Sequence, residues 1–430
     1  MKLDYKRTLF VGLAFMSICS FWQVYDGIVP LILKNTFQIG DFWAGWVMAA
    51  DNVLALFMLP LFGALSDKTR SRFGRRMPFI VGGTILACTA MLVLPFADAI
   101  VSLPLFFVGL GVVLFAMSTY RSPAVALMPD VTMKPLRSKA NAVINLMGAI
   151  GGIIMLGAIP LLVSKTGKPN YFPLYLFTIA IMAVCVLVLV WKINEPKCVE
   201  QMHADSLAAG IDTAAEKQKS PDAPKQKLPR DVFISLCFIL ASVFFWFMGY
   251  NAVTTAFSKY ANIAWGMQGG NYALVLLVAQ AAAIVSYLPV GMLASKIGRK
   301  KTILLGIVML AVSFSSAMFF KSFSAMIFFF FALAGIGWAF INVNSYPMVV
   351  EMSNGADVGK YTGYYYTFSM LAQTITPICS GALLQFFGYH TLFPYGAFFV
   401  ALSFVTMLFV RHGDSRPTQT KSIEAFGSEE

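Results

Sequence analysis

Charge is scarce in this chain. Asp, Glu, Lys and Arg make up 12% of its 430 residues, against roughly 25% in globular domains. That shortage, set beside abundant apolar side chains, excludes a disordered chain and nearly all soluble domains. Histidine is rarer still: His203, His390 and His412 stand apart in loops or near the tail. No nucleophile–base–acid set, phosphate loop or metal-ligand spacing accompanies them, so neither an enzyme nor a metal or cofactor site is expected. The six cysteines, Cys19, Cys88, Cys185, Cys198, Cys237 and Cys379, form no close pair. They read as small apolar fillers, which excludes a disulfide scaffold. A cleavable signal is not expected either. The first apolar run follows Lys2, Lys6 and Arg7, but it is long, carries Trp22, Gln23 and Asp26, and lacks a small-residue cleavage site.

Hydrophobic residues are 58% of the chain, and the mean hydropathy is +0.73. About 20 apolar residues suffice to cross the hydrocarbon of a bilayer as a helix. Twelve runs qualify, near 9–33, 43–65, 77–96, 102–123, 140–163, 172–192, 231–252, 271–293, 302–320, 323–347, 362–386 and 393–410. They are too long for barrel strands and do not alternate. The expected fold class is an all-α membrane protein with twelve transmembrane helices.

The net charge of +12 has a topological origin. With both termini cytoplasmic, Lys34, Lys165, Lys168, Lys259 and Lys321 fall in outer loops, Arg121 falls in or at the end of a span, and the other 26 of 32 basic residues lie inside. This positive-inside bias predicts a multi-pass protein of the cell membrane, inner or plasma, and needs no nucleic acid as partner. Membrane lipid is the expected surround, and nothing in the sequence requires more than a monomer.

One long polar stretch, 193–229, lacks aromatics and is interrupted by Pro196, Pro221, Pro224 and Pro229. It reads as a cytoplasmic linker with room for a short surface helix. The domain division is therefore 1–192 and 230–411 as two six-helix bundles, 193–229 as linker and 412–430 as a tail. The halves echo each other. Gly63 to Asp67 followed by Gly74-Arg75-Arg76 recurs as Gly291 to Ser295 followed by Gly298-Arg299-Lys300. A further echo follows spans 4 and 10, where Pro123 precedes Lys139 and Pro347 precedes Lys360. Matching loops in a six-plus-six chain mark duplicated transporter halves.

On these loops the chain resembles the major facilitator superfamily of secondary transporters, over essentially its whole length. The segment Asp67 to Phe79, with four extra residues between the acid and the glycine, is similar to the sucrose transporters and their relatives, and more distantly to the glycoside–cation symporters. Arg121, Asp130, Arg137, Ala140 and Asn141 match the pattern that group carries after span 4, and Gly359, Gly363 and Gln373 its span 11 region. The chain departs at Ser295, where many members carry an acid, and at Leu114 to Tyr120, which lacks the acid usual in the fourth span of plant sucrose transporters. The resemblance implies two pseudo-symmetric bundles, alternating access, and a gating role for Asp67 as a lock between the halves near the start of span 11. Arg75 and Arg76 are expected to meet Asp130, and Gly74, Arg137, Gly298 and Arg299 complete the gating set.

A charged side chain inside a span asks for a reason. Asp26 shares a face of span 1 with Gln23 and Trp22, and Asp51 lies in span 2 beside Asn52. Either is a candidate proton-coupling group; pairing with a neighbouring helix is the alternative. Arg121 has three open roles: partner of an acid, holder of a sugar hydroxyl, or a side chain at the inner end of span 4 that snorkels or faces Asp130. A sugar needs hydrogen-bonding groups and often an aromatic platform. Besides Arg121, the candidates are Gln23, Tyr25, Asn52, Asn141, Asn145, Trp246, Tyr250, Asn251, Trp338, Asn342 and Gln373. Asn141 with Asn145, Trp246 with Tyr250, and Trp338 with Asn342 each share a helix face.

The expected function is symport of a neutral sugar or glycoside, with a disaccharide in first place and a proton, or else sodium, as the coupled ion. Export of an amphipathic compound by proton antiport and a non-transporting membrane receptor on the same fold are the rivals.

Overall fold

The computed structural model describes residues 3–133, 136–164, 168–208, 229–352 and 358–414. Positions 209–228 of the linker, 415–430 of the tail and Lys165 lie outside them. Among the described residues the chain is all helical. The elements are α1 (Tyr5–Asn35), α2 (Asp41–Lys68), α3 (Met77–Met91), α4 (Val93–Ala99), α5 (Leu103–Asp130), α6 (Arg137–Leu162), α7 (Phe172–Lys192), α8 (Glu195–Ala208), α9 (Arg230–Ala264), α10 (Tyr272–Ile297), α11 (Arg299–Ala317), α12 (Met326–Val350), α13 (Val358–Phe386) and α14 (Leu392–Leu408), with a 3-10 turn at Tyr389–Thr391.

Eleven spans among the described residues are long and apolar enough to cross a membrane, α3 with α4 counting as one; α10 supplies a twelfth. This is a multi-pass membrane protein. Helices are the natural outcome, because a lipid-exposed backbone must satisfy its amides internally. Two details differ from the sequence reading. The third span breaks at Leu92, because the ring of Pro95 opposes the carbonyl of Met91 four residues earlier. The seventh runs on to Ala264, so Lys259 sits inside a helix rather than in an outer loop.

The first group, α1 to α7, packs around α1, and the second, α9 to α14, around α9 and α12. The groups meet through α2 with α13, α6 with α10, and α1 with α9. The first and last described residues, Leu3 and Asp414, lie at one end of the bundle, here the Arg76 end; the α1–α2 turn lies at the other, the Asp41 end. At the Asp41 end the groups touch backbone to backbone. A Cβ on Gly45 would collide with the carbonyl of Pro377, and one on Gly381 with that of Asp41. Hydrogen bonds cross there from Tyr272 to the Gly27 carbonyl (2.9 Å) and from the Phe42 amide to Gln385 (3.0 Å). Toward the Arg76 end the glycines of these two helices meet no such crowding. A Cβ on Gly63 would meet only Ser122 of its own group, and one on Gly363 would meet nothing within 4 Å.

Crowding therefore differs along one seam. Gly45→Val is expected to cost about 1–3 kcal/mol by overpacking, lowering Tm by several degrees, whereas Gly363→Val leaves it within about a degree. Thermal unfolding of the detergent-solubilised protein checks the contrast; equal shifts contradict it.

Candidate functional site

Asp26 and Asp51 are each roughly ten residues from the α1–α2 turn, about 15 Å of helical rise. The two carboxyls therefore lie at one depth, midway through the bundle. Helix α1 is enclosed by α2, α5, α6, α7 and α9, and most of its surface is buried. The exception in its central part is a half-buried stripe at three- and four-residue spacing: Leu13, Met16, Cys19, Trp22, Gln23 and Asp26. With helices on its other sides, this stripe borders the space between the groups. On α9 an analogous half-buried stripe carries Phe247, Tyr250, Asn251 and Thr254.

Trp22, Asp51, Ala55, Leu59, Leu114, Ser118 and Arg121 line one small cleft. The Arg121 guanidinium lies over the Trp22 ring, 5.7 Å from its centroid, and its charge acts on Asp51. Asn52 Nδ2 donates to Asp51 Oδ1 at 2.9 Å. Arg121 shares this cleft with Asp51, while Asp130 is met by Arg75 and Arg76. Asp26 makes no ion pair or hydrogen bond among the described residues; the charge acting on it is that of Asp51. Trp22 Nε1 and Asn251 Nδ2 are buried without hydrogen-bond partners. Facing groups supply an aromatic platform: Tyr250 of α9 stacks on Trp338 of α12 at 3.7 Å and 6°.

Other sequence candidates lie elsewhere. Tyr25 is buried and directs its hydroxyl to the Val47 carbonyl at 3.5 Å, a contact between α1 and α2. Trp246 is fully buried, and its indole N–H lacks a partner. Asn141 and Asn145 are buried on α6, while Asn342 and Gln373 are half-buried on α12 and α13.

The gating candidates assemble at the Arg76 end. Arg76 Nε donates to Asp130 Oδ2 (2.8 Å), its Nη2 to Asp67 Oδ1 (2.5 Å) and its Nη1 to Ser66 Oγ. Arg75 pairs with Asp130 at 2.6 Å. Arg137 donates to the carbonyls of Pro129 and Thr132, closing the end of α5. Asp67, expected from the resemblance to bridge the halves, here pairs within its own group; the residues just before α13 lie outside the described ones. Gly74 sits at φ +107°, and a side chain there would collide with Glu195. The Glu195 carboxylate accepts from the backbone amides of Arg75 (2.9 Å), Arg76 (3.0 Å) and Met77 (2.9 Å), the open amides at the start of α3. The second group repeats this. Gly298 sits at φ +91° beside Asp414, Asp414 Oδ1 accepts from the Lys300 amide at 2.8 Å, and Arg299 pairs with Glu351 at the end of α12.

The sequence reading missed Glu195, Asp414, Glu351, Asp41 and Ser118. Glu195 and Asp414 stand just after the sixth span of each half, and that shared placement was the available signal. His412, read as isolated, contacts Ser235 (2.8 Å) and Asp231 (3.3 Å).

Two groups of six spans, in close contact at the Asp41 end and packed about a polar centre, have the build of a secondary transporter that works by alternating access. The chain belongs to the Major Facilitator Superfamily, whose family profile matches residues 11–268 and 239–428. Among curated proteins it is similar to the sucrose transport protein SUC3 of Arabidopsis thaliana, 26% identical over 37% of this chain and 32% of that protein. It is also similar to the sucrose transport protein SUT3 of Oryza sativa subsp. indica, 30% identical over 24% of each, and to an uncharacterized symporter of Synechocystis sp., 32% identical over 26% of this chain and 22% of that one. The matched segments thus span a third or less of these relatives. Solved structures share the fold. The nucleoside transporter NupG aligns with TM-score 0.63 and 16% identity over 95% of this chain and 100% of that one. The POT family transporter PepTSo aligns with TM-score 0.69 and 12% identity over 95% of this chain and 98% of that one.

Burial separates the two acids around Arg76, whose own side chain is 5% exposed. Asp130 is 13% exposed, and Asp130→Ala leaves the buried guanidinium short of its acid, costing about 3–5 kcal/mol. Asp67 is 57% exposed, and Asp67→Ala costs under about 1 kcal/mol. Thermal unfolding of the two variants checks this order; an equal or reversed order contradicts it.

Proposed function

We propose that the chain is a proton-coupled symporter of a neutral sugar or glycoside, a disaccharide in first place. Asp26 or Asp51 carries the proton. The observation that carries the reading is Asp26 itself: a half-buried carboxyl midway through the bundle, without a partner, bordering the space between the groups beside Asp51. An intramembrane acid in that setting is a functional group by default. Coupling requires that only the fully loaded and fully empty forms reorient readily.

The sugar assignment rests on the donors and the platform. Unpartnered N–H groups of Trp22 and Asn251 suit hydroxyl oxygens. The stacked Tyr250–Trp338 pair offers an apolar face for a pyranose ring. Gln23 and Asn52 neighbour Trp22 and Asp51 in the chain, and Asn141, Asn145, Asn342, Gln373, Trp246 and Tyr25 stay as further candidates for contacts to the sugar. The sucrose transport proteins among the relatives point the same way. Asp67, Arg75, Arg76, Asp130 and Arg137, with Gly74, Gly298 and Arg299, set the gate at the Arg76 end. That end is assigned to the cytoplasm with both termini, on the positive-inside rule, and the chain acts as a monomer.

A thermal-shift screen of mono- and disaccharides, followed by counterflow with the hit, identifies the substrate. In proteoliposomes, adding that sugar outside is expected to alkalinise the external medium. The signal disappears in Asp26→Asn or Asp51→Asn, while sugar exchange persists in the variant that only couples. Sugar uptake at full rate with no ion flux contradicts the coupling, and a pH change of opposite sign favours antiport.

A further inference from the structure

The seam at the Asp41 end holds a charge cluster that sugar and proton binding do not use. Asp41 opens α2, and its side chain is 1% exposed. Lys259 Nζ, from α9 of the other group, donates to its Oδ1 at 2.8 Å and is itself 6% exposed. Lys34 Nζ, from α1 of the same group, donates to its Oδ2 at 2.9 Å and is 29% exposed. The Tyr389 hydroxyl, again from the other group, reaches both oxygens at 3.0 and 2.9 Å. Beside the cluster lies a small void lined from both groups, with Pro30, Gly45 and Met48 on one side and Thr255, Lys259 and Pro377 on the other.

We propose that Asp41 and Lys259 form an ionic latch that holds this end shut, and that its rupture is a required step in exposing the centre to that side. The two charges sit on groups that must separate during alternating access, so their bond exists in one state and not in the other. A buried pair stabilises the closed state only while both partners remain: removing Asp41 leaves the Lys259 charge dry and unpaired, and removing Lys259 takes away the one charge that reaches Asp41 from the other group. Opening hydrates that charge, so the loss of either partner favours the open state. Lys34 behaves differently. It moves with Asp41, its bond survives opening, and its loss bears nearly equally on both states. The proposal requires alternating access alone and stands apart from the identity of substrate or ion.

The test uses the full chain freed of its cysteines, with spin labels on cysteines placed at the exposed Gln38 and Gln268, one in each group. Pulsed distance measurements in lipid nanodiscs need neither sugar nor ion. Asp41→Asn is expected to raise the long-distance population at least about tenfold relative to the parent, with Lys259→Gln in the same direction and Lys34→Gln within about twofold. The exchanged pair, Asp41→Lys with Lys259→Asp, keeps one acid among two lysines and returns the parent distribution. Lys259→Gln carries the test if Asp41→Asn does not yield monodisperse protein. An unchanged distribution in the neutralised variants, an effect of Lys34→Gln as large as theirs, or an exchanged pair that stays open overturns the latch.

Discussion

The cost of keeping a charge away from water organises this molecule. Asp41, Arg76, Asp130 and Glu195 are buried or nearly so, and each is met by charges or backbone amides at 2.5–3.0 Å. Those compensated charges cluster at the two ends of the bundle, where helices begin, end or cross. Asp26 is the departure from that pattern. It lies midway through the bundle, on a half-exposed stripe of an otherwise enclosed helix, with another carboxyl acting on it. A charge that the fold leaves without a fixed partner is one that solvent, an ion or a ligand has to satisfy.

The ends are built for different tasks. At the Arg76 end, ionic contacts tie helices within a group: Arg76 joins α2 to α5, Glu195 fixes the start of α3, and Asp414 does the same for α11. These bonds tie the helices of each group to one another. At the Asp41 end, the contacts run between the groups, through glycine-enabled backbone approach and the Asp41–Lys259 pair. Two groups, each tied internally and meeting closely at one end, suit rocking motions about a central site. The repeated glycine–acid device, Gly74 with Glu195 and Gly298 with Asp414, shows the duplication at the level of single side chains.

Much of the architecture was legible in the sequence. Length and apolarity located the spans, because a helix in lipid has little freedom in either. The echo of Gly74-Arg75-Arg76 in Gly298-Arg299-Lys300 identified the halves, and opposite charges at loop ends brought Arg75 and Arg76 to Asp130. The failures share a cause. Lys259 looked like a loop residue because its buried partner is 218 positions away, and no local pattern reports such a pairing. Pro95 broke a span that hydropathy reads as continuous. Tyr25, chosen for its chemistry, turned out to serve an adjacent helix, since a helix face can be read from spacing but the neighbour on that face cannot. Conversely, the sequence offered Tyr250 and Trp338 on separate faces, and tertiary packing made them one platform.

The most direct measurement is a reversal experiment in proteoliposomes loaded with the substrate that the binding screen selects. With an imposed sugar gradient and the membrane potential clamped at zero, the opposing pH gradient that stops net sugar flux is determined. One-to-one coupling through a single carboxyl predicts that a tenfold sugar gradient is held by about one pH unit, each being worth about 1.4 kcal/mol. Net flux that follows the sugar gradient alone, whatever pH difference opposes it, contradicts the account.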